Sequence, residues 1–305
     1  MDLNVIINQL IILFVIMFIG FIVNKCGILN AESNRYVSKL LLTVGVPGLL
    51  INSVADGNPF ENNYDIFGVL FVCILINVFI VFVAWVLDKI FHFKDKAGVY
   101  KFMTIFPNAG FIGFPVINAI FGPTALIYAT VFQLPHNVLC YTYGMYLMSN
   151  GFDKKEALKS MINPCIVSAI LACIICIFDI HLPSIVSDCC GYLGSITTPL
   201  GMVIIGSSLA SSNVSFKQFD LKMTLFILLK MFIVPVACFF FLSLISDNQV
   251  LISVLTIIMG LPCATNTVVF ATINNKNVDL ASKSVFLTTM LCIISIPILC
   301  YIFVI

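Results

Sequence analysis

The sequence predicts an all-α polytopic membrane protein: ten transmembrane helices arranged as two inverted five-helix repeats, with helices 4 and 9 broken and crossing. Three observations predict it. The chain is 61% hydrophobic and 10% charged, against roughly 45–50% and 25% in soluble domains, so a water-soluble fold could not hide its apolar surface. Its basic residues gather in alternate loops. Two apolar segments at matching places in the two halves, 106–122 and 260–271, carry helix breakers, which a bilayer core tolerates only where the freed backbone faces protein or a water-filled cavity.

A hydropathy window of about 19 residues places spans at 5–23, 37–54, 66–87, 102–121, 124–148, 164–182, 192–210, 221–245, 250–273 and 284–305. The first lacks a basic flank and a small-residue cleavage site, so it is expected as a retained helix rather than a signal peptide. The second is interrupted by Pro47 and Gly48, the seventh by Pro199 and Gly201. Most of the twelve cysteines lie in apolar runs, where a thiol acts as a small hydrophobe. Cys173 and Cys176 form a CxxC without a second ligand pair, so neither a metal nor any other cofactor is expected. Cys189 and Cys190 fall in the expected loop before the seventh span.

The net charge of +1 is uninformative; its distribution is not. Lys25, Arg35 and Lys39 lie in or beside the first loop, Lys89, Lys94, Lys96 and Lys101 in the third, and Lys154, Lys155 and Lys159 in the fifth. Lys217 and Lys222 flank the seventh, and Lys276 and Lys283 belong to the ninth. The even-numbered loops, such as 55–65 and 246–249, hold no Lys or Arg. Every basic residue except Lys230 therefore falls on one side, as the positive-inside rule requires, and both termini face outward. The fifth loop, 149–163, divides the chain into repeats at 1–150 and 160–305. An odd number of spans per half inverts the second, and Pro47 matches Pro199 as Pro107 matches Pro262.

The two breaks are the candidate substrate site. Pro107, Asn108 and Gly110 in the fourth span, and Pro262, Thr265, Asn266 and Thr267 in the ninth, place half-helix ends and neutral hydrogen-bonding side chains at mid-membrane. Helix N-termini suit an anion such as a carboxylate; C-terminal carbonyls suit a cation. All fourteen acids lie in loops or at helix edges, so no carboxylate relay or sodium ligand is expected within the membrane. His136, with Pro135 and Asn137, interrupts the fifth span and is a secondary candidate. Lys230 lies roughly 13 Å along the eighth span. It either snorkels to the headgroups, faces the cavity and attracts an anion, or partners a carbonyl at the ninth-span break. Ser207, Ser208 and the glycines of the seventh span suit close helix packing.

Asn163-Pro164, TTPLGMVIIGSSLA in the seventh span, Pro107-Asn108 and LPCATNTVVFA in the ninth resemble the auxin efflux carrier family, which includes bacterial members named as malate or malonate permeases. The resemblance covers the whole chain. It implies a plan shared with sodium–proton antiporters and bile-acid symporters: a scaffold of helices 1, 2, 6 and 7 that often dimerises, and a transport unit of helices 3–5 and 8–10 that moves in elevator or rocking fashion. It makes Pro107 and Pro262 the crossover prolines and Asn108 the substrate-facing amide. Gln133 then matches a glutamine of a polar support site, with His136 and Asn137 nearby, and Pro47 and Pro199 border the cavity from the scaffold. The third-span carboxylate of that support site is missing here; Asn77 is the one polar residue offered.

The function expected is secondary active or facilitative transport of a small organic anion, auxin-like or malate-like, with H+ or Na+ as coupling ion. The alternatives are a sodium-coupled carrier of the bile-acid or arsenite type and a transport-inactive membrane sensor. An intramembrane hydrolase needs a nucleophile with a His or Asp partner, or HExxH on a helix; neither pattern occurs, so no enzyme is expected, and no nucleic-acid partner. Residue usage points to a bacterial cytoplasmic membrane.

Overall fold

The computed structural model describes residues 3–57, 66–148, 164–211, 220–274 and 276–304. Loop 149–163, with Lys154, Lys155 and Lys159, and Lys217 lie outside the described residues, as does most of loop 55–65. Sixteen α-helices are described: α1 Leu3–Lys25, α2 Ala31–Leu40, α3 Val46–Asn52, α4 Ile66–Phe91, α5 Ala97–Ile105, α6 Phe114–Phe121, α7 Leu126–Leu139, α8 Met145–Met148, α9 Pro164–Ile177, α10 Ser184–Ser195, α11 Thr197–Ser211, α12 Leu221–Leu228, α13 Val234–Ile245, α14 Gln249–Gly260, α15 Asn266–Ile273 and α16 Val278–Phe303. No β-strand occurs among the described residues, only isolated bridges.

Among the described residues, five helices are long and apolar enough to cross a membrane: Ile7–Lys25, Ile66–Phe91, Ser184–Ser211, Leu221–Ile245 and Val278–Phe303. At 1.5 Å per residue, the 26 residues of α4 reach roughly 39 Å, enough to span a ~30 Å hydrocarbon core with tilt. Its apolar character is continuous, yet its faces differ. Phe67, Phe71, Ile74, Val78, Phe82 and Trp85 recur at helical spacing and are exposed, while Val69, Cys73, Ile76, Ile80 and Ala84 are buried. Such an exposed apolar stripe fits a lipid contact. Ala109–Phe121, Pro164–Ile177 and Gln249–Gly260 are shorter apolar helices. The protein is thus an all-helical polytopic membrane protein.

Helix ends differ from the sequence expectation by several residues, most at the seventh span; the second and tenth helices begin six residues early, at Ala31 and Val278, and the sixth stops at Ile177. The seventh helical segment begins at Ser184, eight residues before the predicted start, and runs with one junction to Ser211. Cys189 and Cys190 therefore sit on α10, not in a loop. Ser184, Ser187 and Asp188 depress a hydropathy average without opposing helix formation, which hid this first stretch.

Three prolines show how the chain keeps helices continuous. Proline lacks an N–H and clashes with the carbonyl four residues back. Pro47, Pro115 and Pro235 each follow a π-helical turn, at Leu41–Gly45, Ala109–Gly113 and Leu229–Ile233. In the first and third, the residue before the proline bonds five residues back: Val46 N–H to the Leu41 carbonyl, Val234 N–H to that of Leu229. The wider turn moves the carbonyl a proline ring would otherwise strike. A fourth, Cys140–Gly144, precedes no proline. A Cβ on Gly144 would approach the Phe102 and Phe106 rings to 2.9 Å.

The chain forms two compact units, the first Met1–Leu70, Gly110–Leu134 and Ile162–Ser212, the second Phe71–Ala109, Pro135–Met161 and Asn213–Ile305. The first is built on glycine contacts. A Cβ on Gly206 would lie 1.7 Å from the Met17 carbonyl oxygen, and one on Gly20 2.2 Å from that of Val203, so α1 and α11 meet backbone to backbone. Gly194 sits likewise against Leu49, a Cβ there falling 2.7 Å from the Leu49 Cα. Small residues permit this approach where lipid supplies no hydrophobic drive. Asn24 closes one end of the α1–α11 contact, donating to the Ser207 and Ser211 hydroxyls at 2.9 and 2.7 Å, and Lys25 donates to the Ala210 carbonyl at 3.1 Å. The second unit contains Pro107 and Asn108 of one predicted break and all of the other; Gly110 belongs to the first.

Candidate functional site

Both breaks follow one local rule. The residue before a proline is pushed out of the α region, and Phe106 (φ −110°, ψ 91°) and Leu261 (φ −65°, ψ 158°) are both extended. Helix α5 therefore ends at Ile105 and α14 at Gly260, and the chain becomes helical again at Ala109 and Asn266.

The two extended stretches pair. Pro107 and Cys263 form an antiparallel bridge, closed by the Ala264 N–H donating to the Phe106 carbonyl at 2.9 Å and the Asn108 N–H to the Pro262 carbonyl at 2.8 Å. Pro107 occupies the position in that pairing that donates nothing across the ladder, so its missing N–H costs no bond. Neighbouring groups are also satisfied. The Ala109 N–H turns back to the Pro107 carbonyl at 2.9 Å, and the Leu261 N–H reaches the Ile258 carbonyl at 3.1 Å. The Cys263 N–H is received by the Thr288 hydroxyl of α16 at 3.2 Å. The Leu261 carbonyl accepts from the ammonium of Lys230. An interrupted backbone is tolerable at membrane depth only under such accounting.

The other predicted residues surround this crossing. Pro107, Pro262 and Thr267 are buried and Asn108 is 5% exposed; Thr265 and Asn266 are half-buried at the start of α15. The Thr267 hydroxyl donates to the Ala264 carbonyl at 2.6 Å, and the Asn266 side chain lies beside the Cys140 thiol. Gly110 is half-buried, and a Cβ there would meet nothing within 4 Å.

Of the predicted support residues, Asn77 and His136 are brought together. Asn77 Nδ2 donates to the Cys73 carbonyl at 2.7 Å, which orients the amide and leaves Oδ1 to accept from His136 Nδ1 at 2.9 Å. The pair therefore requires a proton on Nδ1. The His136 ring lies 5.3 Å from that of Phe106, so the pair backs the crossing rather than standing apart from it. Gln133 lies one turn earlier on α7, its Oε1 buried and without a hydrogen-bond partner. Asn137 is half-buried. In the first unit Pro47 is half-buried after its π turn and Pro199 is exposed on α11.

Lys230 does not snorkel: it is 0% exposed, within the π turn Leu229–Ile233. Its acceptor, the Leu261 carbonyl, lies at the break, the third of the placements the sequence offered, whereas Thr288 was not legible in the sequence. Ser284, Thr288 and Thr289 are a cluster of hydroxyls in an apolar helix, but each also back-bonds its own helix, a common habit of helical Ser and Thr.

The pattern of the family described as Membrane transport protein matches residues 5–300. The chain is 26% identical over 292 residues to an uncharacterized transporter of Methanocaldococcus jannaschii, covering 92% of this chain and 94% of that one. It is 23% identical over 288 residues to one of Methanothermobacter thermautotrophicus, with 93% of each covered. With the uncharacterized transporter YfdV of Escherichia coli it shares 21% identity over 309 residues, with 97% of each covered.

Proposed function

Because the chain belongs to the membrane transport protein family, the auxin efflux carrier family that its motifs resemble, and is a membrane transporter rather than an enzyme, we propose that it carries a small organic anion, a carboxylate of auxin-like or malate-like size, bound at the crossing of helices 4 and 9. The observation that carries this reading is the paired break: two helix starts, at Ala109 and Asn266, adjoin the bridged segments. The N–H groups of a helix start attract negative charge, and Asn108, Thr265, Asn266 and Thr267 add neutral hydrogen-bonding groups. None of the described acids is buried, so nothing acidic opposes an anion there.

In this reading the ten spans form two inverted repeats, residues 1–150 and 160–305. The scaffold is helices 1, 2, 6 and 7, which pair two copies of the chain, and helices 3–5 and 8–10 move as an elevator. The grouping of both bridged segments into one compact unit supports their travelling together. Gln133, Asn77, His136 and Asn137 serve as the support site, and Pro47 and Pro199 line the cavity from the scaffold. The alternation of basic loops supports cytoplasmic placement of the odd-numbered loops and outward termini in a bacterial cytoplasmic membrane.

The test is thermal stabilisation of the purified protein by a panel of carboxylates, with Asn108→Ala alongside. One carboxylate is expected to raise the Tm of the native chain and to lose that effect in the variant. A response confined to organic cations or neutral solutes overturns the anion reading.

A further inference from the structure

The C-terminal end of α14 is where a broken-helix carrier ordinarily needs a cation. Unwound carbonyls and half-helix C-termini coordinate the coupling sodium ion or proton in such folds. Here the Leu261 carbonyl, fully buried at the break, is the acceptor of the Lys230 ammonium. That lysine is held in place by its own backbone. It sits in the π turn that the chain makes before Pro235, and such turns recur where a helix must aim a side chain for function.

The surroundings of the ammonium sharpen the point. Cys238, Cys263 and Cys292 lie about it, and the Met231 sulfur is 3.9 Å away; all are weak, uncharged partners. No described carboxylate is buried anywhere in the molecule. A charge so placed is costly unless a dipole opposes it. The group that opposes it is the carbonyl end of α14, the negative pole of that helix. Lysine and carbonyl therefore satisfy each other, each filling the need the other creates.

We propose that Lys230 is the resident cation of the crossing: its ammonium permanently takes the carbonyl seat that a coupling sodium ion would occupy, so the carrier works without sodium. The lysine supplies from behind the break the positive field that favours an anion at the crossing, without being a ligand of that anion. The sodium independence of carriage rests on the substrate reading above; the occupation of the carbonyl does not.

The experiment has two arms. In the first, the native protein is compared in sodium, potassium and choline chloride, by Tm and by uptake of the stabilising carboxylate into proteoliposomes. Equal Tm and equal uptake in all three are expected, and a sodium-specific rise in either overturns the proposal. In the second, Lys230→Ala is expected to melt roughly 10 °C lower and to recover much of that loss with methylammonium, which restores an N–H donor. Tetramethylammonium, which has none, is expected to do nothing. Lys230→Met, which keeps the stem length, follows the same course if the alanine variant does not fold. A variant as stable as the native chain, or one indifferent to methylammonium, overturns the proposal. Methylammonium rescue without any carboxylate response in the native protein leaves the resident cation standing and removes the substrate reading; the reverse result does the opposite.

Discussion

In the first unit helices meet backbone to backbone. Gly20 and Gly206 bring α1 and α11 so close that no Cβ fits between them, and Gly194 does the same against Leu49. In the second unit the corresponding effort goes into an interruption. Two helices stop in apolar surroundings, and the groups they release are answered by a cross-pairing, a threonine and a lysine. Lipid tails are as apolar as leucine, so the glycine contacts stand in for a missing hydrophobic drive, whereas the interruption supplies none. They are not equivalent. A glycine contact exposes no polar group and costs only side-chain volume. An interrupted backbone must be satisfied atom by atom and gains no stability over an unbroken helix. On the proposed reading, glycine seams suit a static support, and the interruption places polar atoms where the solute would bind.

That contrast breaks most visibly at Gly206. Alanine there drives a methyl into the Met17 carbonyl, with no flexible side chain to yield, and is expected to cost about 3 kcal/mol or more, read as collapse of Tm and yield in detergent. Gly110→Ala is the control: open space surrounds it, so its Tm should match the native value. A tolerated Gly206→Ala would remove the rigid-seam half of the comparison.

A smaller loss is expected at Thr288→Val. The change is nearly isosteric and strips the acceptor from the buried Cys263 N–H, costing about 1–3 kcal/mol. Because the bond holds the bridged stretch, carboxylate stabilisation should weaken along with Tm. Loss of Tm with an intact carboxylate response would make the threonine a packing residue. The smallest effect belongs to the Asn77–His136 bond. A double-mutant cycle with Asn77→Leu and His136→Phe should give a coupling of about 0.6 kcal/mol, the average for such bonds in membranes. A coupling of zero would mean that this pair does not brace the crossing.

The two breaks and the all-helical class were legible because prolines, glycines and apolar runs act locally. Pro107 and Pro262 announce their breaks through the residue before them, and that rule needs no tertiary information. The start of α10 was misplaced because Ser184, Ser187 and Asp188 look like loop to a hydropathy average. The π turns left no signal beyond the prolines that follow them. Asn77 and His136 could be named singly, but their pairing across 59 positions depends on which helix faces which. Lys230 stood out as a charge in an apolar run, whereas its acceptor is a main-chain oxygen, a group every residue carries and composition cannot distinguish.

The bridge at the crossing also bears on how the protein is made. The Phe106 carbonyl is answered by an N–H about 160 residues later in the chain. At the usual pace of translation, that N–H emerges roughly ten to thirty seconds after the carbonyl does. Through that interval the first break has entered the bilayer, or stands in the insertion machinery, with its own half of the pairing unanswered. The nascent chain must shelter it from lipid until residues 261–264 arrive, so biogenesis has its slow, vulnerable step at the spot where the finished molecule keeps its polar atoms.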